Sequence, residues 1–231
     1  MNTGAAFVYS PDFLTYRFHD THPFDPVRLA ITYDLLAETG LLLQRDLVQP
    51  RAATEQELLL VHSHGYIQAV CGASNGRADE EYLSRYDLGT EDVPVFKGMH
   101  LAASLAVGGS LTAAELVLEG KKKHAVNLAG GLHHAQRGSA SGFCIYNDAA
   151  VAIAWIRQKY GARVLYIDTD AHHGDGVQNI FYDDPEVMVI SLHESGHYLF
   201  PGTGDIHERG RGEGYGSTIN VPLEPLTEDD S

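Results

Sequence analysis

Apolar residues in the first half of the chain recur mostly at helical intervals. Across residues 25–43, Val27, Ile31, Leu35 and Leu36 keep that spacing, and Gly40 supplies a stop signal. Thr54-Glu55-Gln56-Glu57 has the form of a capping box before the apolar run 58–61. A second short helix is expected over 65–70, and a long one over 95–119 whose middle is weakened by Gly108-Gly109. Residues 72–94 are polar and read as a long surface loop, the kind that is usually functional or mobile. A short strand is expected over 5–9.

From residue 124 the rhythm changes. Short apolar runs at 124–128, 163–167, 187–192 and 217–221 alternate with helical stretches at 147–160 and 176–182. Continuous apolar strands suit a sheet covered on both faces. Strands alternating with helices imply parallel βαβ units and an α/β fold. In such sheets ligands bind beyond the carboxyl ends of the strands. The unusual polar residues follow Leu128, Ile167 and Ile190, which are such ends.

Composition narrows the function classes. With 31 acidic against 16 basic residues the net charge is −15, which argues against nucleic acid and against an anionic membrane surface. A chain of 231 residues, 44% hydrophobic, can bury a sizeable core. No apolar run approaches a membrane span of roughly 18 residues, and residues 1–9 make a poor secretory signal. Two distant cysteines, Cys71 and Cys144, suggest a reducing compartment, hence the cytoplasm. Histidine is the odd count: 13 residues, several paired or beside carboxylates.

Those histidines fall into constellations. Asp168-Thr169-Asp170-Ala171-His172-His173-Gly174-Asp175-Gly176 directly follows an apolar strand. In an extended segment Asp168, Asp170 and His172 would share one face, and a cation would offset the repulsion of the carboxylates. Gly130-Gly131-Leu132-His133-His134 sets two imidazoles at another strand end, where a general base and a general acid could stand together, with Asp168 and Asp175 available to orient them. In Ser141-Gly142-Phe143-Cys144-Ile145-Tyr146-Asn147-Asp148, Gly142 and Phe143 could line a narrow apolar approach, and Asn147 or Asp148 could cap the next helix. His193-Glu194-Ser195-Gly196-His197 matches the zinc-peptidase pattern, but that pattern needs a helix. Here it follows a strand and contains Gly196, so the match is read as accidental. Lys121-Lys122-Lys123 reads as a solvated turn.

Together these motifs resemble the histone deacetylase superfamily, most closely its bacterial acetoin utilization branch. The likeness also takes in His22-Pro23-Phe24-Asp25-Pro26-Val27-Arg28-Leu29, Val61-His62-Ser63 with Tyr66, the segment 88–94, Phe200-Pro201-Gly202-Thr203-Gly204 and Asn220-Val221-Pro222. It implies an arginase-deacetylase α/β fold, a parallel sheet flanked by helices, in one domain spanning 1–231. It implies a catalytic divalent metal held by Asp170, His172 and a further Asp. Zinc is usual, although one His with carboxylates suits iron(II) equally. His133 and His134 would be the proton-transfer pair, buttressed by Asp168 and Asp175. Phe143 and Phe200 would wall a tunnel for acetyl-lysine, Gly142 would accept the substrate amide, and Asp92 would hold the substrate backbone at the rim. Asp168, Asp170 and Ser191 would match a structural potassium site, and Arg28 would sit near an internal exit region.

The family's third metal ligand and its oxyanion-donating Tyr belong to segments downstream of the one matching Asn220-Val221-Pro222. The expectation is therefore an incomplete domain, with C-terminal strands missing, whose own 231 residues are inactive. The expected activity of the whole is hydrolysis of acetyl-lysine in proteins. A catalytically incomplete acyl-lysine-binding protein is the alternative, with an acetylated small amine such as a polyamine as another substrate. A peptidase reading is set aside.

Overall fold

Five strands form where the apolar runs stand, a sixth, two residues long, forms at Leu47–Val48 where none is expected, and all pair in parallel. The computed structural model describes residues 4–228 and divides into two compact units, one ending at Trp155 and the other beginning at Ile156. In the N-terminal unit, β1 (Ala5–Val8) is flanked by β2 (Leu47–Val48) and β3 (His124–Asn127), with Phe7 opposite Leu47 and Val126. The helices are α1 (Val27–Glu38), α2 (Glu55–Leu58), α3 (His64–Ser74), α4 (Glu80–Ser84), α5 (Met99–Leu118) and α6 (Asp148–Tyr160), the last running past the division. In the C-terminal unit, β4 (Val164–Asp168), β5 (Val187–Glu194) and β6 (Thr218–Leu223) lie in that order, with α7 (Asp175–Phe181) between β4 and β5 in the chain. The register sets Asp168 opposite Ser191 and Ser191 opposite Asn220.

Local chemistry explains most boundaries. The capping box before α2 is present: Glu57 N donates to Thr54 Oγ1, and Thr54 N donates to the Glu57 carboxylate at 2.8 Å. Gly40, at φ 71°, ends the turn after α1 as expected. The core of the β1 sheet gathers Phe7, Tyr9, Phe13, Leu29 and Ala129, with Tyr33 stacked on Tyr9 at 4.5 Å between centroids.

Several expectations need correction. Helix α1 forms, but Val27, Ile31 and Leu35 face outward, while Leu29, Tyr33 and Leu36 pack inward. Residues 72–94 are not one loop. Asp79 caps α4 through Tyr82 N at 2.7 Å, and Leu83, Leu88 and Val93 are buried. Three well-spaced apolar anchors within a polar window suffice to tie it down. Gly108 and Gly109 do not interrupt α5. A side chain at Gly108 would meet Arg51 O, and one at Gly109 would meet the Asn127 amide, so glycine there serves close packing. Helix α5 also has the length and composition of a membrane span, which the run-by-run reading missed; half of it is buried, and it packs against α3, β1 and β3. Finally, β5 alternates buried and exposed positions instead of being covered on both faces. Leu165 and Ile167 of β4 are each 56% exposed.

Candidate functional site

The loop after β3 is held by buried polar side chains. Asp148, at the first turn of α6, accepts from Leu132 N at 2.8 Å through Oδ1 and from Ser110 Oγ through Oδ2. Asn127 donates from Nδ2 to Ser110 Oγ at 3.0 Å. Gly130 lies so close that a Cβ there would meet the Asp148 carboxylate, and Gly131 has φ 83°. Glycine at 130 thus allows close approach to Asp148, and glycine at 131 a left-handed turn.

Asn147 fixes the next residues from both ends of its amide. Its Oδ1 accepts from Ala150 N at 2.9 Å, the expected helix cap. Its Nδ2 donates to His133 O at 3.1 Å and to Ala135 O at 3.0 Å. Asn147 N donates to His62 Nε2 at 3.0 Å, so the proton of that ring is on Nδ1, which donates to Gln136 O at 3.0 Å. Burial pushes the His62 pKa down to about 4, which keeps Nε2 an acceptor. Within this frame His133 and His134 are both buried, with ring centroids 4.0 Å apart. Two neighbouring imidazoles can take a proton from one group and deliver one to another.

The segment 141–144 closes over His134. A side chain at Gly142 would strike the His134 ring, so only glycine fits. Its carbonyl oxygen accepts from Cys144 Sγ at 3.1 Å, leaving a second lone pair. The Phe143 ring stands edge-on to His22 at 4.8 Å. His22 Nε2 donates to the Asp92 backbone carbonyl at 3.3 Å. Four expected residues of the N-terminal unit, His134, Gly142, Phe143 and Asp92, are therefore linked through short contacts.

In the C-terminal unit the segment after β4 does not continue extended, as the shared-face argument assumed. It curls, because each carboxylate caps the backbone two residues on: Asp170 N donates to Asp168 Oδ1 at 3.1 Å, and His172 N donates to Asp170 Oδ1 at 2.8 Å. The curl still brings His172 Nδ1 within 2.9 Å of Asp170 Oδ1. Two ligand atoms each about 2.0–2.1 Å from one zinc ion stand about 3 Å apart, so this pair fits two places of a metal site. Among the described residues no group of three or more His, Cys, Asp or Glu gathers to hold a metal ion. Asp168 is buried at the strand end and accepts from Tyr166 Oη at 2.7 Å. Asp175 is buried at the start of α7. Phe200 is about half exposed, edge-on to His172 at 6.3 Å. Ser191 Oγ lies 2.9 Å from His193 Nδ1, while His193 Nε2 donates to Gly204 O at 3.1 Å. His193 and Glu194 belong to β5 and not to a helix, consistent with the accidental peptidase match.

Residues 22–231 match the model of the histone deacetylase domain. The chain belongs to the histone deacetylase family. Within that family it is similar to the acetoin utilization protein AcuC of Bacillus subtilis (strain 168), 60% identical over 227 residues, and to AcuC of Staphylococcus xylosus, 47% identical over 231. The alignments cover 98% and 100% of this chain but 59% and 60% of those proteins, so the chain spans about three fifths of the length of the curated relatives it matches. Among solved structures it superposes on an HDAC homolog from Aquifex aeolicus and on an HDAC homolog complexed with SAHA, each with a TM-score of 0.93 and 37% identity, covering 99% of this chain and 61% of the other. The arginase-deacetylase fold of the histone deacetylase family is thereby shown for the region described.

The sequence reading named the histidine pair and the capping role of Asn147 but not the supports around them. Ser110 and Asn127 carry a signal: each is a polar residue set among non-polar neighbours. Such a residue is usually satisfied internally once buried, which marks it as structural without naming its partner.

Proposed function

We propose that the protein containing this chain hydrolyses the acetyl amide of acetyl-lysine in proteins, using a divalent metal. The observation that carries the reading is the buried His133–His134 pair, 4.0 Å between centroids, on a loop locked by Asn147. Proton-transfer groups are useful to a hydrolase and of no use to a mere binder. Asp170 and His172, with a further ligand, would hold zinc or iron(II), which when bound supplies Lewis acidity and an acidified water.

The chain's own residues then have separate tasks. One imidazole nitrogen of the pair takes the water proton, and the pair returns a proton to the departing lysine amine. Asp168 and Asp175 are assigned to orient the pair. The Gly142 carbonyl accepts the substrate amide N–H, Phe143 and Phe200 flank the aliphatic stem, and Asp92 holds the substrate backbone. Asp168, Asp170 and Ser191 would bind a structural potassium ion; the first and last stand opposite each other in the sheet register. A protein substrate is favoured over a small acetylated amine by the rim role of Asp92. A cytoplasmic place of action is supported by the presence of two cysteines only, Cys71 and Cys144, far apart in the chain. A second reading, an acyl-lysine-binding protein without turnover, draws on the two-ligand metal segment.

The test uses the complete encoded protein with an acetyl-lysine peptide. Metal-dependent release of acetate is expected, and His134→Ala should lower turnover by at least about 100-fold while zinc binding persists. Unchanged turnover in that variant would remove His134 from the mechanism. Peptide binding with no acetate released would favour the second reading.

A further inference from the structure

Cys144 N donates to Ser141 O at 2.8 Å, and Ser141 N donates to Cys144 O at 3.2 Å, closing a tight turn. Both of its central residues have positive φ, Gly142 at 52° and Phe143 at 67°, the combination found in type I′ turns. Glycine enters that region freely, whereas a bulky aromatic residue enters it under strain. Something outside the turn must favour the conformation at Phe143.

Tyr16 supplies it. Its hydroxyl donates to Phe143 O at 2.8 Å and accepts from Ile145 N at 3.0 Å, so one O–H group clamps the backbone on both sides of Cys144. The ring is buried against Phe24 and Phe96, with centroids at 5.2 and 6.0 Å. Burial holds the phenol pKa well above its usual value, so the donor keeps its proton. Phenylalanine would fill the same volume; only the hydroxyl reaches the turn.

We propose that Tyr16 is a positioning residue for substrate: its hydroxyl holds Phe143 in the left-handed conformation, and thereby fixes the Phe143 ring and the Gly142 carbonyl where the acyl-lysine side chain meets them. The inference rests on the acyl-lysine reading given above.

A double-mutant cycle in the complete, metal-loaded protein tests it. Tyr16→Phe should raise KM for an acetyl-lysine peptide about tenfold with kcat within about threefold. Phe143→Gly, which removes both the ring and the strain, should raise KM at least as much. The double variant should be no worse than Phe143→Gly alone, because glycine enters the left-handed region without strain and no ring is left to position. KM within about twofold of wild type in Tyr16→Phe, or additive losses in the double variant, would overturn the role of Tyr16 and leave the deacetylase reading intact. An unaltered KM in Phe143→Gly would instead overturn the reading of Phe143 as a substrate wall, and the inference with it. Should Tyr16→Phe fail to fold, the double variant decides: folding restored by glycine supports the clamp, and persistent unfolding reduces Tyr16 to core packing and rejects it.

Discussion

The loop that carries His133 and His134 and the segment that carries Asp170 and His172 are built by opposite means. The first is buried and cross-braced, every bend held by a side chain from another element: Asn147, Asp148, His62, Ser110. The second is held by its own carboxylates through turns two residues long, and Asp170 and His172 remain 52% and 40% exposed at their side chains. Proton transfer needs fixed geometry from the polypeptide. A metal ligand can be drawn into place by the ion it binds, since binding and ordering are coupled. Rigid support is concentrated on the groups that have no ligand to organise them.

That contrast makes graded predictions. Asn147→Asp should have the largest effect, because it replaces the amide that donates to His133 O and Ala135 O with a buried carboxylate. A loss of about 3 kcal/mol or more is expected in urea unfolding, and a loss under about 1 kcal/mol would show that the loop is held otherwise. Gly108→Ala, which drives a methyl into Arg51 O, should cost about 3 kcal/mol through overpacking, measured in the same way.

Next comes pH. The folded pKa of His62 is depressed from 6.5 to about 4 by burial. The folded state thus binds fewer protons, and its stability is complete above pH 6.5 and falls as pH drops toward 4. The loss assigned to His62 across that window is about 3 kcal/mol, and His62→Gln should flatten the profile there even though it is less stable at pH 7. An equally steep profile in that variant would assign the acid sensitivity to other groups.

The smallest stability effect belongs to the exposed segment. His172→Ala should change metal-free stability by less than about 0.5 kcal/mol. Calorimetric zinc affinity should nonetheless fall by more than the about 10–100-fold that follows loss of an outer hydrogen bond. A large loss of metal-free stability would erase the contrast between the two regions.

The two regions were also unequally legible in sequence. The strands stood out because parallel strands are apolar runs, and the candidate residues stood out because they follow those runs. An argument from extended geometry groups Asp170 with His172; the structure brings the two together through Asx turns instead. The outward face of α1 was misread because Val27, Ile31 and Leu35 form as good a stripe as the one that packs. Helix α4 hid in a polar window whose three apolar anchors are far apart in sequence. The supports of the histidine loop are hardest to read, since Ser110 meets Asp148 across 38 positions and Asn127 meets Ser110 across 17, and periodicity carries no information at that range.

The double use of Asn147 bears on how such a protein ages. Asparagine is chemically the weak link among side chains, because its amide hydrolyses over time to a carboxylate. Here that change would be nearly invisible in mass and would turn two attractive contacts to carbonyl oxygens into repulsive ones. Asn147 is fully buried and sits at a helix start, with its side-chain oxygen already engaged by Ala150 N. A position where this damage would break two contacts is thus sheltered from water.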